Sequence, residues 1–132
     1  MKVLLDSDSL VGVFYKEDPH HTKSLEIYKR ILTDKNYKIY LSNYACAEIA
    51  TVLSHRCGQK VARDFLNNYQ SIFYIHSTLE EDNITKTFFK SIEKKRTSFT
   101  DCSNVIIYKK YKMDYIFSFD KFYKKHNLNY LK

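Results

Sequence analysis

Glycine and proline are scarce in this chain of 132 residues, which contains two glycines, one proline and no tryptophan. Gly12 and Gly58 stand alone, so the sequence lacks the glycine-rich loop that binds phosphates in the common nucleotide-binding motifs. It also lacks internal repeats and any linker rich in proline, glycine and serine. One domain spanning residues 1–132 is therefore predicted, at a length typical of single domains.

Cysteine is equally sparse. The three cysteines have no C-x-x-C spacing, which disfavours both a disulfide framework and a structural zinc site. Cys46 and Cys102 lie in apolar helical patterns and are expected to be buried thiols. No apolar run approaches the ~20 residues of a membrane span, and no signal-peptide core follows the first residues. We therefore expect a protein of the reducing cytoplasm.

Apolar residues and positive charge are well represented. Apolar residues make up 44% of the chain, with 12 Tyr and 9 Phe supplying bulk, and 28% of residues are charged. This balance predicts a folded core and disfavours disorder. The net charge of +7 favours polyanionic partners such as nucleic acid, because each phosphate contact releases condensed counterions.

Short runs of β-forming residues alternate with amphipathic helical patterns. The runs predict four strands, at Val3–Leu5, Ile39–Leu41, Ile72–Ile75 and Tyr115–Phe117. A fifth, weaker candidate lies at 129–131. Helices are predicted at about 9–15, 20–34, 43–55, 59–69, 77–94 and 98–112. Asn43 is expected to cap the third helix and Gly58 to end it, and Ser77 with Glu80 to form a capping box. This alternation predicts an α/β fold whose central, mostly parallel sheet of four to five short strands is flanked by helices.

Four acidic residues fall where strand ends and inward helix faces should meet. Asp6 and Asp120 follow apolar runs, at the sheet edge where α/β proteins bind ligands. Glu48 lies beside the apolar stripe of its helix, and Asp101 lies in the first turn of the last long helix. Taken alone, each acid also has an explanation without function. Asp6 and Asp120 could be turn formers or helix caps, Glu48 could reach solvent from the edge of its stripe, and Asp101 could be stabilised by the helix dipole. Several carboxylates in one crevice, however, repel each other unless a hard cation such as Mg²⁺ or Mn²⁺ neutralises them.

The segments around these acids resemble the four motifs of the PIN-domain ribonucleases, in the same order and along nearly the whole chain. They are Val3–Leu10 with Asp6, Leu41–Ala50 with Glu48, Ser98–Cys102 with Asp101, and Ile116–Tyr123 with Asp120. The resemblance implies a PIN-like fold and an endoribonuclease that depends on Mg²⁺ or Mn²⁺. It makes the four acids both catalytic residues and metal ligands, with Ser98 and Ser118 in supporting roles.

Short members of this family are commonly toxins of VapBC-type toxin–antitoxin pairs. The resemblance therefore also implies a cognate antitoxin and a homodimer. Two positions depart from the family pattern: Cys102 stands where alanine is usual, and Asn127 where many relatives have glycine. Neither departure removes a proposed ligand.

Basic residues flank two of the acidic motifs. Lys95 and Arg96 precede Asp101, and Lys121 and Lys124 follow Asp120. We expect these four to contact the RNA backbone, with neighbouring Lys94, Lys109, Lys110 and Lys125 extending the basic surface and Phe122 or Tyr123 offering a stacking face. An ordinary solvated surface would show the same pattern.

Two other functions remain open at this point. The spacing of Asp6 and Asp8 also resembles the first motif of haloacid-dehalogenase-like phosphatases, in which one Asp attacks phosphorus and the next acts as general acid. That mechanism leaves Glu48 without a role. The second alternative is a non-catalytic PIN-like module that binds RNA or a protein, against which the presence of all four acids argues.

Overall fold

The computed structural model describes residues 1–69 and 71–132. Four strands form one sheet in the order β3-β2-β1-β4, and all three strand pairs are parallel. The strands are β1 (Lys2–Leu5), β2 (Lys38–Ser42), β3 (Phe73–Ile75) and β4 (Tyr115–Phe117). The fifth candidate makes one isolated parallel bridge, between Tyr130 and Ile116. The predicted α/β fold with a parallel sheet is confirmed.

Two helices connect each pair of consecutive strands. They are α1 (Ser7–Phe14), α2 (His21–Thr33), α3 (Asn43–Cys57), α4 (Gln59–Asn67), α5 (Leu79–Ser91) and α6 (Phe99–Lys110), followed after β4 by a 3₁₀ helix at Lys121–His126. None of the helices in the described ranges has both the length and the apolar character needed to span a bilayer.

The start of α3 differs from the prediction by one residue. Ser42 caps the helix, because its backbone is still extended and its hydroxyl accepts the N–H of Ala45 at 3.1 Å. Asn43 is already helical, and its side chain accepts the N–H of Ser77 at 2.9 Å, which ties the end of β3 to α3. Gly58 ends α3 as predicted, with a φ of 90° that glycine adopts more readily than other residues.

The capping box of α5 is likewise displaced by one residue. Thr78, not Ser77, caps the helix, and its partner is Glu81, not Glu80. Glu81 is fully buried, and its carboxylate lies 3.0 Å from the Lys110 ammonium. A box formed by Ser77 and Glu80 would leave the buried Glu81 without the hydrogen bond from Thr78. Single-residue errors of this kind are usual when a run of polar residues offers two overlapping box patterns.

The sheet separates two hydrophobic cores, as the alternation of side chains along β1 requires. Val3 and Leu5 pack with α1–α4 on one face, while Leu4 packs with α6 and the 3₁₀ helix on the other. Cys46 and Cys102 are buried free thiols, one in each core, as expected.

Gly12 allows α1 and α2 to pack closely. A β-carbon at this position would collide with the side chain of Ser24 in α2. The carbonyl oxygen of Gly12 also lies 2.7 Å from the ring Nδ1 of His21, the first residue of α2. The start of α2 is therefore fixed against α1, and α1 begins directly after β1.

The order of strands reverses between β1 and β4. The chain moves from β1 through β2 to β3 on one side and then returns to place β4 on the other side of β1. In parallel sheets a crevice forms beyond the carboxyl ends of the two strands that flank such a reversal, and ligands bind there. Asp6 follows β1 and Ser118 follows β4 at this crevice.

Candidate active site

Asp6 lies at the centre of the crevice and is 2% exposed. Its Oδ1 accepts the N–H of Ser7 at 2.8 Å and the side-chain amide of Asn104 at 3.0 Å, and its Oδ2 accepts the Ser118 hydroxyl at 2.8 Å. Burial raises the pKa of Asp6 well above its ordinary value, and the charges of Asp8 and Asp101 raise it further. The hydrogen bonds orient the carboxylate.

Asp101 is buried in the first turn of α6. It forms a capping box with Ser98, whose N–H donates to Asp101 Oδ2 at 3.1 Å. Burial raises the pKa of Asp101, and the charges of Asp120 and Glu48 add to the effect, while the hydrogen bonds from Ser98 oppose it. Asp101 is therefore a helix cap and also part of the acidic group, so its structural and functional interpretations do not exclude each other.

Glu48 is half-buried on α3 and receives a hydrogen bond from the hydroxyl of Ser7, the residue after Asp6. This contact joins the helix that carries Glu48 to the start of α1. Glu48 is near enough to Asp101 for its charge to raise the pKa of that carboxyl.

Asp120 lies two residues beyond Ser118 and caps the 3₁₀ helix by accepting the N–H of Phe122 at 2.9 Å. Its own N–H donates to the Ser118 hydroxyl at 3.0 Å. The Ser118 hydroxyl therefore connects Asp120 to Asp6. The hydroxyl has a single proton to donate, and its oxygen lies 2.8 Å from Asp6 Oδ2 and 3.2 Å from Asp8 Oδ1.

Asp8 belongs to this group although the PIN-domain motifs give it no role. Its Oδ2 accepts the N–H of Phe119 at 2.9 Å. Burial is the main reason that its pKa rises from 3.8 to about 6, and the charge of Asp120 adds to the effect. We refer to Asp6, Asp8, Glu48, Asp101 and Asp120 as the carboxylate cluster.

Asn104 is a site residue that the sequence analysis missed. It is fully buried, one turn after Asp101 on α6, and its amide donates to Asp6 and to the Tyr123 hydroxyl at 3.1 Å. Its Oδ1 accepts the Ser42 hydroxyl at 3.4 Å, and Tyr123 in turn donates to Asp101 at 3.3 Å. A polar residue on the inward face of α6, three positions after an acid, was the signal available in the sequence.

Among the described residues, the cluster has no compensating cation. Within residues 1–69 and 71–132 the ion pairs are Lys23–Glu26 and Lys110–Glu81, and neither involves a cluster member. Buried carboxylates without a cationic partner suit a hard divalent ion, which prefers oxygen ligands. In the described part of the chain, however, no three His, Cys, Asp or Glu side chains form a ready chelating group. Both carboxylate oxygens of Asp6, Asp8 and Asp101 accept hydrogen bonds from hydroxyl, amide or backbone N–H donors.

Two of the predicted basic residues lie beside the cluster. The segment Lys94–Thr97, here called the basic turn, lines a cavity of about 250 Å³ together with Asp101, Asp120 and Phe122. Thr97 closes the turn by donating its hydroxyl to the carbonyl of Lys94 at 2.9 Å. Arg96 adopts a left-handed conformation with a φ of 72°, which is unfavourable for a residue with a side chain.

The other basic residues are placed differently. Lys121 is exposed at the start of the 3₁₀ helix, and Lys124 lines a separate cavity of about 970 Å³ formed with the C-terminal segment. Lys110 is used in the ion pair with Glu81. Phe122 and Tyr123 are buried, so the prediction that either ring offers a stacking face is wrong. The 3₁₀ helix turns both rings into the core beneath β4.

Comparison with solved structures identifies the fold. The chain is similar to VapC20 of Mycobacterium tuberculosis, a toxin that cleaves the sarcin–ricin loop, with a TM-score of 0.86, 14% identity and 98% of each chain covered. It is also similar to VapBC2 of Rickettsia felis bound to a promoter DNA fragment, with a TM-score of 0.69, 14% identity, and coverage of 100% of this chain and 98% of that one. No protein-family model and no curated protein matches the sequence. The chain therefore has the PIN-like fold of these toxin–antitoxin proteins, as its motifs predicted.

Proposed function

We propose that this protein is a metal-dependent endoribonuclease and the toxin of a toxin–antitoxin pair. The observation that carries the proposal is the carboxylate cluster, which lies at the reversal point of a PIN-like sheet with no paired cation among the described residues. The likeness to VapC20 and VapBC2 supports the proposal, although 14% identity transfers the fold and not the activity.

In this proposal Asp6, Glu48, Asp101 and Asp120 hold Mg²⁺ or Mn²⁺. Such an ion would neutralise the carboxylates and would supply an activated water for hydrolysis of the phosphodiester. The protein's own contribution is to orient the ligands. Ser118 fixes Asp6 Oδ2, and Ser98 supports Asp101 through the capping box of α6.

The basic turn supplies the substrate contacts. Lys95 and Arg96 share a cavity with Asp101 and Asp120, so a phosphate bound by the basic side chains lies next to the carboxylates. Arginine and lysine bind phosphate through charge-assisted hydrogen bonds. Lys121 and Lys124 extend the basic surface beyond this cavity and contact more distant phosphates of the RNA.

The same comparison supports an antitoxin partner, because one structural neighbour is a VapBC2 assembly on promoter DNA. By analogy, this chain binds a cognate antitoxin. We also propose that it forms a homodimer, from the motif resemblance alone, and that it acts in the cytoplasm, from its cysteine usage. Co-purification with the product of a neighbouring gene, and the mass of the isolated chain in solution, test the first two points.

RNA cleavage with and without divalent metal tests the central proposal. Purified protein should cleave RNA with Mg²⁺ or Mn²⁺ and stop when the metal is chelated. Asp6→Asn and Asp101→Asn should each reduce the rate by several orders of magnitude while the protein stays folded. Asp64→Asn, a change at an exposed acid on α4, is the matched control and should leave the rate unchanged. Cleavage that persists in chelator, or in both cluster variants, contradicts the proposal.

A further inference from the structure

Two aromatic rings stack at the rim of the crevice. The His20 and Phe119 rings are parallel within 4°, and their centroids are 4.0 Å apart. Phe119 stands between Ser118 and Asp120 in the chain, and its N–H is bound by Asp8. Phe119 is half-buried against the core, whereas His20 is exposed. One face of the imidazole therefore rests on Phe119, and the side chain remains accessible to solvent.

The ring pair is held in place from several directions. The N–H of His20 donates to Asp18 Oδ1 at 2.8 Å, and the next residue, His21, contacts the carbonyl oxygen of Gly12. Phe119 in turn meets Phe117 edge to face, with 6.1 Å between their centroids. A surface ordered in advance loses little entropy when a ligand binds to it.

The charges around His20 indicate which part of a nucleic acid it meets. Glu17 and Asp18 precede it, and Asp8 accepts the N–H of Phe119, so a phosphate is repelled at this side of the crevice. The basic turn, which attracts phosphate, lines the cavity with Asp101 and Asp120 instead. A flat neutral group suits the exposed imidazole, and unpaired bases of RNA are commonly held by stacking on aromatic side chains, histidine included.

We infer that His20, supported by Phe119, is a stacking platform for an unpaired base of the RNA, adjacent to the carboxylate cluster. The inference rests on the proposed function and deepens it, because it makes His20 a residue that selects the base bound next to the cleaved bond. Stacking on aromatic side chains tolerates every base, and differences in stacking strength give modest preferences. Because purine rings offer a larger face, we expect the platform to favour purines modestly.

Binding in chelator tests the platform separately from cleavage. The affinities of fluorescein-labelled oligoadenylate and oligouridylate are measured by anisotropy in EDTA for the wild type, His20→Ala and His20→Phe. Wild type should prefer oligoadenylate, and His20→Ala should lose about tenfold in that affinity, the usual effect of removing one stacking ring. His20→Phe, which keeps an aromatic face, should retain the preference. His55→Ala, at an exposed histidine near the end of α3, is the matched control.

An abasic scan distinguishes a base contact from a phosphate contact. Single abasic positions are moved along the oligoadenylate. Wild type should lose affinity at one position, and His20→Ala should be insensitive there. Equal binding by wild type and His20→Ala overturns the platform while leaving the nuclease proposal intact. Failure of wild type to bind either RNA in EDTA also overturns the platform, while the nuclease proposal is decided by the cleavage assay with Mg²⁺ or Mn²⁺. Circular dichroism of each variant verifies folding, and Phe119→Leu, which keeps packing but removes the supporting ring, should weaken oligoadenylate binding in the same direction.

Discussion

The Asn104 side chain holds Asp6 from α6, with 3.0 Å between its amide nitrogen and Asp6 Oδ1. The same amide group also contacts Ser42 and Tyr123, so three other parts of the fold meet at one fully buried residue of α6. A neutral donor beside a buried carboxylate stabilises its charge without filling the space that a metal ion needs. Asn104 is thus a positioning residue in the proposed reaction.

Replacement of Asn104 by leucine, which has a similar volume, tests the contribution of Asn104 to stability and to metal binding. It removes one of the hydrogen bonds to Asp6 and leaves the Ser42 hydroxyl without its acceptor, so we expect the apo protein to lose about 1–3 kcal/mol of stability. We also expect weaker Mn²⁺ binding. Urea unfolding in chelator and calorimetric Mn²⁺ titration measure the two quantities. Tyr123→Phe removes only the hydroxyl and should have a smaller effect on both, and unchanged Mn²⁺ affinity in Asn104→Leu would argue against the positioning role.

The apo protein should lose stability as pH rises, because of Asp8. Its folded pKa is about 6 against an ordinary value of 3.8, so the folded state holds the proton more tightly than the unfolded chain does. The contribution of Asp8 protonation to the free energy of unfolding is fully present below the pKa of Asp8 in the unfolded chain. It is lost as pH rises through the pKa of Asp8 in the folded protein. Asp8→Asn removes this dependence, and the oxygen of the new amide can still accept the Phe119 N–H. Near neutral pH the variant should be more stable than wild type by on the order of 1–2 kcal/mol, allowing for partial solvent screening.

Unfolding curves in chelator between about pH 4 and pH 8 test this prediction. The difference between the two proteins should vanish at the acid end, where Asp8 is protonated in both states. A constant difference over the whole range would mean that the substitution acts through packing and not through charge.

Arg96 should show a trade of stability against function. Its left-handed backbone disfavours any side chain, so Arg96→Gly should stabilise the fold by about 0.5–1 kcal/mol. The same change removes a cation from the cavity shared with Asp101 and should weaken RNA binding. Lys112→Gly relieves a second left-handed residue, with a φ of 54°, and is the matched control. It should raise the melting temperature without affecting RNA affinity, and equal effects of both variants on RNA would contradict the role of Arg96.

Glu48 and Asp8 distinguish the nuclease from a phosphatase. In the nuclease Glu48 is a ligand and Asp8 a neighbour, so Glu48→Gln should nearly abolish RNA cleavage while Asp8→Asn slows it mildly. In a phosphatase that uses Asp6 and Asp8 the order is reversed. Initial rates of both variants on RNA and on a generic phosphomonoester decide between the two functions.

The sequence predicted the positions of the acids well because strand ends and helix faces follow from local patterns. Asp6 and Asp120 were located by apolar runs that end in an acid, and β1 and β4 indeed lie side by side. The supporting partners depend on tertiary contacts that no local pattern encodes. Asn104 reaches Asp6 across 98 positions of the chain, and its residue type alone does not distinguish a buried donor from a surface amide.

For the residues after β4, a local sequence pattern predicted a surface that the tertiary structure does not form. A run that alternates lysine with aromatic residues looks like a nucleic-acid surface, but the 3₁₀ helix rotates Phe122 and Tyr123 inward and Lys124 away from the cluster. The departure at Asn127 is explained by conformation, since its φ of 66° is a value that asparagine tolerates and glycine favours.

The single bridge beside β4 protects an edge of the sheet. Ile116 donates its N–H to Asn129 at 2.8 Å and accepts the N–H of Leu131 at 2.9 Å, so its outward-facing backbone groups are already occupied. An unoccupied strand edge invites pairing with other chains and hence aggregation. Tyr130, within the same segment, also donates its hydroxyl to the carbonyl of Asp120 at 2.5 Å. Residues 129–131 therefore cover the edge of β4 and also hold Asp120, one acid of the cluster. Because a tag attached next to this segment could disturb both contacts, an affinity tag is better attached at the opposite end of the chain.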